Sequence, residues 1–152
     1  MKFVEILQDG SLAEPTADLP EVASGVLGST RDHYGRTGFS PPWVGYMVQS
    51  NDASGTAQWV GTCAFTAAPK DGRVEIAYFT FPDFEGRGIA TQMARKLLEI
   101  ARQNDSTLTI TAFTLAEKNA SNSILKKLGF DFAGVVEHPE DGTIWEWTRP
   151  AN

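Results

Sequence analysis

Cysteine and histidine are scarce in this chain of 152 residues: one Cys, Cys63, and two His, His33 and His138. A lone thiol forms no intramolecular disulfide and no thiolate metal cluster. The two histidines fall in a weakly helical stretch and a turn, without paired ligands, so no metal site is expected. No apolar run approaches the ~20 residues of a membrane span. Met1–Gly10 carries one lysine and too short an apolar stretch for a signal peptide. These absences fit a reducing cytoplasm. The net charge of −6 argues against a duplex nucleic-acid partner. No Gly-Lys pair occurs, which excludes the G-x-x-x-x-G-K-[ST] phosphate loop.

Forty-one per cent of the residues are apolar, ordinary for a globular protein, and the length suits a single domain over residues 1–152 with one core. The charge is uneven. Residues 87–127 hold seven basic and three acidic side chains, a local +4 that leaves −10 elsewhere. An anionic ligand on that segment and a cationic one facing the remainder would match, although a chance fluctuation gives the same count.

Hydrophobic periodicity orders the elements. Lys2–Gln8 reads as a strand, Asp9–Leu19 as a loop containing Pro15, and Pro20–Tyr34 as a weak helix diluted by Gly25 and Gly28. Trp43–Gln49, Gln58–Ala67 and Val74–Phe81 read as three antiparallel strands, the last two joined by the tight turn Asp71-Gly72. Ile89, Met93, Leu97 and Ala101 form one helical stripe with Ala90, Ala94 and Leu98. Thr107–Leu115 is a strand, Asn119–Leu128 a short helix ended by Gly129, and Phe130–Val136 with Thr143–Thr148 a closing hairpin. The strand–helix–strand unit over 74–115 should be a right-handed parallel crossover, which makes the sheet mixed. A cleft then belongs at the C-terminal end of the strand Val74–Phe81.

At that point lies Glu85-Gly86-Arg87-Gly88-Ile89-Ala90. A glycine-rich turn feeding a helix start gathers backbone N–H groups at the positive end of the helix dipole, an anion site suited to a phosphate or pyrophosphate. A dinucleotide fingerprint fits poorly, because Thr91 stands where the third glycine belongs and Glu99 and Asp105 fall in helix and loop.

The turn resembles the [Q/R]-x-x-G-x-[G/A] motif of the GNAT acyltransferase superfamily, matched at Gly88 and Ala90, with Glu85 where the family has Gln or Arg. Glu75–Pro82 resembles that family's fourth strand. Glu117-Lys118-Asn119-Ala120-Ser121-Asn122 through Leu128-Gly129-Phe130 is similar to its second motif, nearest the branch that acetylates protein N-termini such as those of ribosomal proteins. The resemblance covers residues 43–148 well and the first 40 poorly. It implies an α/β (α+β) fold: a mixed, mostly antiparallel sheet of six to seven strands flanked by about four helices, with a coenzyme A cleft at the central parallel pair. It also implies acetyl transfer from acetyl-coenzyme A to a primary amine by direct attack in a ternary complex. A protein N-terminus, a lysine and a small-molecule amine, possibly cationic, remain open as acceptors, and a homodimer is possible. A non-catalytic module that senses coenzyme A or only contacts other proteins is the alternative.

On that resemblance, the amides of Gly86, Arg87, Gly88, Ile89, Ala90 and Thr91 bind the pyrophosphate. The pantetheine arm runs along the strand at Phe79, Thr80 and Phe81, pairing with the backbone of Phe79 and Phe81. Asn119 or Asn122 meets the pantetheine amides, helix capping being the competing role. Arg87, Lys126 and Lys127 either meet phosphates or are solvated. Glu75 occupies the strand position of a general base; the bland alternative is an ion pair with Arg73 or Lys70. Leu125 stands where many members carry a tyrosine acid, and Tyr78 is one residue out of phase with Glu75, so the acid is unassigned. Cys63 reads as buried and inert, and Trp43, Trp59, Trp145 and Trp147 as packing residues.

Overall fold

The computed structural model describes residues 1–14, 16 and 18–152. Pro15, the breaker in the expected loop Asp9–Leu19, lies outside the described residues. The elements are β1 (Lys2–Glu5), α1 (Glu21–Thr37), β2 (Gly45–Asn51), β3 (Ala57–Phe65), β4 (Arg73–Thr80), a 3-10 turn (Pro82–Phe84), α2 (Ile89–Asn104), β5 (Thr109–Leu115), α3 (Ala120–Lys127), β6 (Asp131–His138) and β7 (Gly142–Pro150). The strands form one sheet in the order β1-β2-β3-β4-β5-β7-β6. Among the described residues, only β4 and β5 run parallel.

Three α-helices flank the sheet among the described residues, against an expectation of about four. The segment between β1 and β2 holds one continuous helix of 17 residues, running to Thr37, past the expected end of the weak helix at Tyr34. Tertiary anchoring overrides its low propensity. Buried Tyr34 donates its hydroxyl proton to the Ile6 carbonyl and accepts from the Gly45 N–H, each at 2.8 Å, so α1 is clamped to two strands at once. The helix ends at Gly38, whose φ of +91° a side chain would resist.

On the opposite face, α2 buries Ile89, Met93, Ala94, Leu97, Leu98 and Ala101. Gly61 permits that packing. A β-carbon there would stand 2.7 Å from the Phe79 carbonyl oxygen and 3.2 Å from Met93 Cε. Asp71 (φ +53°) and Gly72 (φ +75°) make the left-handed pair that the tight β3–β4 turn requires.

β4 and β5 share a register only from Arg73↔Thr109 to Glu75↔Thr111. Beyond Glu75, β4 stays with β3 as far as Thr80↔Gly61, while β5 follows β7 as far as Leu115↔Ile144. The two parallel strands therefore part, and a wedge opens in the middle of the sheet.

Candidate active site

The wedge is a cleft of about 690 Å³, lined by β4 residues 78–80, Phe84, the 85–91 turn and Ala120, Ser121 and Ile124 of α3. Gly86 and Gly88 both sit at φ +77°, the left-handed region, and Gly88 caps α2 without any side-chain cap bond. The first intrahelical bond of α2 runs from the Gln92 N–H to the Gly88 carbonyl at 3.2 Å. The six amides from Gly86 to Thr91 meet no acceptor among the described residues. Helix starts leave such donors orphaned. Here they surround one concavity at the positive end of a 16-residue helix. The turn is exposed from Glu85 to Gly88, and no β-carbon added at either glycine would meet a heavy atom within 4 Å. The arrangement suits a pyrophosphate.

The strand edge beside it departs from expectation in one respect. The Thr66 N–H donates to Glu75 O at 3.0 Å and the Phe81 N–H to Val60 O at 2.9 Å, so the backbone of odd-numbered β4 residues turns to β3. The Thr109 N–H donates to Gly72 O at 2.9 Å, which sends the even-numbered residues toward β5 and the wedge. The backbone groups free to pair with an extended ligand are therefore those of Tyr78 and Thr80, not of Phe79 and Phe81. Phe79 borders the cleft, and Phe81 is 2% exposed in the core.

Three further residues are corrected. Asn119 caps α3, its Oδ1 accepting the Asn122 N–H at 3.1 Å. Asn122 is buried and its Nδ2 donates to the Glu117 carbonyl; its Oδ1 has no partner among the described residues, and the side chain does not line the cleft. Arg87 turns away, its guanidinium 5.2 Å from the centre of the Phe84 ring. Ser121 lines the cleft instead, together with Tyr78. Burial pushes the Tyr78 hydroxyl above its ordinary pKa. Leu125 is fully buried and away from the cleft.

Glu75 stands at the apex, in the last β4–β5 pair before the strands part. Its side chain shares the α1 face of the sheet with Thr66 of the β3–β4 connection. Thr66 Oγ1 donates to Glu75 Oε1 at 3.2 Å, and His33 of α1 donates from Nε2 to the Thr66 carbonyl. Burial raises the Glu75 pKa above its ordinary value, with the Thr66 hydrogen bond and then the charge of His33 pulling the other way. The ion-pair alternative fails on geometry, since Arg73 bonds Glu146 at 3.0 Å. A half-buried carboxylate with a raised pKa and a hydroxyl orienting it is equipped to take up a proton. Thr66 and His33 carried no sequence signal, because only the strand register and the path of α1 bring them to Glu75. Cys63 is 2% exposed and burial pushes its thiol pKa up, as befits an inert residue.

A family model described as an acetyltransferase (GNAT) domain matches residues 14–131. The chain belongs to this family. The GNAT domain is 36% identical over 80 residues to N-acetylaspartate synthetase of Xenopus tropicalis, covering 52% of this chain and 29% of that protein. It is 28% identical over 103 residues to the uncharacterized N-acetyltransferase YoaA of Bacillus subtilis (strain 168), covering 62% of this chain and 58% of the relative. The chain thus spans less than two thirds of either. Among solved structures, RimL, a ribosomal L7/L12 alpha-N-protein acetyltransferase in complex with coenzyme A, superposes with a TM-score of 0.61 at 16% identity over 86% of this chain and 72% of its own. The microcin C7 self-immunity acetyltransferase MccE, in complex with acetyl-CoA and AMP, gives 0.61 at 13% over 85% and 70%. These two share the fold.

Proposed function

We propose that this GNAT domain transfers an acetyl group from acetyl-coenzyme A to a primary amine by direct attack in a ternary complex. One observation carries the reading: the run of orphaned amides from Gly86 to Thr91 borders a cleft at one end of β4, with every residue but Arg87 in its lining, and a half-buried carboxylate stands at the other end of the same strand segment. The amides from Gly86 to Thr91 hold the pyrophosphate, and the backbone of Tyr78 and Thr80 pairs with the pantetheine arm. No metal is needed for this step.

An acceptor amine is protonated at neutral pH, with a reference pKa of ~7.7–8.0 for an α-amine or ~10.4 for lysine. Glu75 takes that proton, directly or through water. The amine nitrogen then bonds to the thioester carbonyl carbon, and a β4 N–H stabilises the negative charge that develops on the oxygen. The carbon–sulfur bond breaks with its electron pair on sulfur. The Tyr78 hydroxyl, held protonated by its raised pKa and placed on the coenzyme side of β4, gives the thiolate its proton, and the second proton of the attacking nitrogen passes through water to restore it. The products are an amide and free coenzyme A. The reducing cytoplasm expected from the lone cysteine suits a reaction that releases a thiol.

The competing reading, a domain that binds coenzyme A without turnover, draws on Glu85. This carboxylate lines the cleft where the family motif has Gln or Arg, and it adds negative charge beside the diphosphate. Free-thiol release from acetyl-coenzyme A across a panel of amines decides between them. Turnover that falls steeply in Glu75→Gln is expected; tight coenzyme binding with no turnover on any amine would establish the binding module.

A further inference from the structure

On the opposite face of β4 from the coenzyme cleft, a second trough runs between α1 and the sheet. Its volume is about 560 Å³. The β4 side chains that line this face follow one another as Glu75, Ala77 and Phe79, with Thr66, Ala64 and Thr62 directly opposite them. Val22 and Gly25 of α1 form the far wall, and no charged side chain lines the trough. Two large apolar residues stand open there, Phe79 at 47% and Val22 at 38% exposure. The room comes from small residues at three facing positions, Gly25, Ala64 and Ala77, and a β-carbon at Gly25 would meet nothing within 4 Å.

The trough is continuous with a second cavity of about 330 Å³, which shares Ser29, Thr30 and Ala64 with it. That cavity reaches Thr66, the residue bonded to Glu75, and carries His33 and Arg36 on its α1 wall. Glu75 thus stands one hydrogen bond behind the wall of the second cavity, at Thr66, while the trough itself is lined by uncharged residues.

We infer that the acceptor is a primary amine carried on an uncharged apolar group, a branched aliphatic or aromatic side chain that lies in this trough while the amine meets Glu75. The inference rests on the acetyltransferase reading. It reconciles the acidic balance of the chain with the lining: the acceptor's positive charge is confined to its ammonium, and its body is apolar. A diamine fits badly, because its second ammonium would leave water for a trough that no carboxylate lines.

The test compares kcat/KM for isoamylamine, phenethylamine, methylamine and putrescine, with the whole chain and acetyl-coenzyme A. Isoamylamine and phenethylamine should exceed putrescine by at least tenfold, the scale of discrimination that one or two methylenes achieve in an apolar pocket. Ala77→Leu fills the exposed trough and should lower kcat/KM for phenethylamine at least tenfold more than for methylamine. Val22→Asp places a carboxylate at the far wall and should narrow the gap to putrescine. Putrescine equal or superior to the apolar amines, or Ala77→Leu lowering all amines alike, overturns the inference. Absence of turnover on every amine is the failure of the acetyltransferase reading instead. Calorimetric binding of phenethylamine to the coenzyme A-loaded protein then decides the trough alone: binding that Ala77→Leu abolishes upholds it, and no binding overturns it.

Discussion

Gly88 and Gly72 form a matched pair for testing the anion cradle. Gly88 has φ +77° and Gly72 φ +75°, and a β-carbon at either would meet no heavy atom within 4 Å. Alanine at each position therefore carries the same penalty, the left-handed backbone, at about 1–2 kcal/mol. They differ in what surrounds them. Gly72 is held in the β3–β4 turn, where its carbonyl accepts the Thr109 N–H at 2.9 Å. Gly88 lies in an exposed turn with no capping side chain to hold it, so alanine there relaxes in the free protein. Coenzyme A must then restore the strained form, and its affinity falls by up to the strain energy, about 5- to 30-fold at 1.4 kcal/mol per factor of ten. A β-carbon facing the diphosphate adds to that loss. In Gly72→Ala the same energy appears as lost stability, a fall in Tm of about 2–8 °C for a chain of this size, with coenzyme affinity unchanged. Calorimetric titration and thermal unfolding of both variants measure the two quantities. Gly88→Ala that binds coenzyme A as tightly as Gly72→Ala would refute the cradle.

Glu75→Gln should lower turnover by roughly 10²–10⁴-fold while coenzyme A still binds. In the wild type, turnover should fall as pH drops through a Glu75 pKa above the ordinary carboxylate value, and Gln should abolish that limb. The same shift fixes a stability sign. A folded-state pKa raised by burial contributes stability below the unfolded pKa, and that contribution is lost as pH rises through the folded one. Glu75→Gln should therefore leave Tm unchanged or higher at pH 8, and a marked fall there would contradict the burial argument. Tyr78→Phe should reduce turnover toward the lower end of the general-acid range, about 10²-fold, with coenzyme affinity intact; wild-type rates would return the proton donor to solvent. Tyr34→Phe strands the Ile6 carbonyl and the Gly45 N–H, each costing about 1–3 kcal/mol, so urea unfolding should show a loss of about 2–6 kcal/mol in total. Gly61→Ala puts a β-carbon 2.7 Å from the Phe79 carbonyl oxygen, so β4 must shift from β3. Overpacking of that kind costs about 1–3 kcal/mol, and the KM for acetyl-coenzyme A should rise although Gly61 touches no substrate.

Local chemistry was legible in the amino-acid order. Asp71-Gly72 announces a tight turn, and Gly86 with Gly88 announces a break in handedness before the stripe Ile89–Ala101; each feature needs only its immediate neighbours. Strand and helix positions followed within a few residues for the same reason. The reach of α1 was not legible, because Gly25 and Gly28 lower its propensity and only Tyr34, clamped between Ile6 and Gly45, shows why it persists to Thr37. Nor was the direction of the β4 backbone. Alternation alone says that neighbouring residues differ, but not which parity faces the wedge; that needs the register Thr80↔Gly61 and the bond from the Phe81 N–H to Val60. The same gap hid Thr66 and His33. They converge on Glu75 from the β3–β4 connection and from α1, at separations of nine residues and more that no local pattern connects.

In the proposed reaction, the alternation of β4 is what would allow one strand to serve two substrates. Odd side chains, Glu75, Ala77 and Phe79, project to the α1 face, where Ala77 and Phe79 line the apolar trough; even side chains, Tyr78 and Thr80, project to the α2 face and meet the cleft with the orphaned amides. The backbone alternates as well, odd groups bonding β3 and even groups left open once β5 departs. Glu75 and Tyr78, the proton acceptor and donor of the proposed reaction, thus lie on opposite sides of a single extended segment. The thioester need only reach the apex where the strands part for an amine to approach from one face and the thiolate to leave on the other. A one-residue slip would exchange every one of these assignments at once. The close contact at Gly61, which forbids any side chain against Phe79, and the clamp of α1 through Tyr34 therefore act on catalysis through register, without touching either substrate.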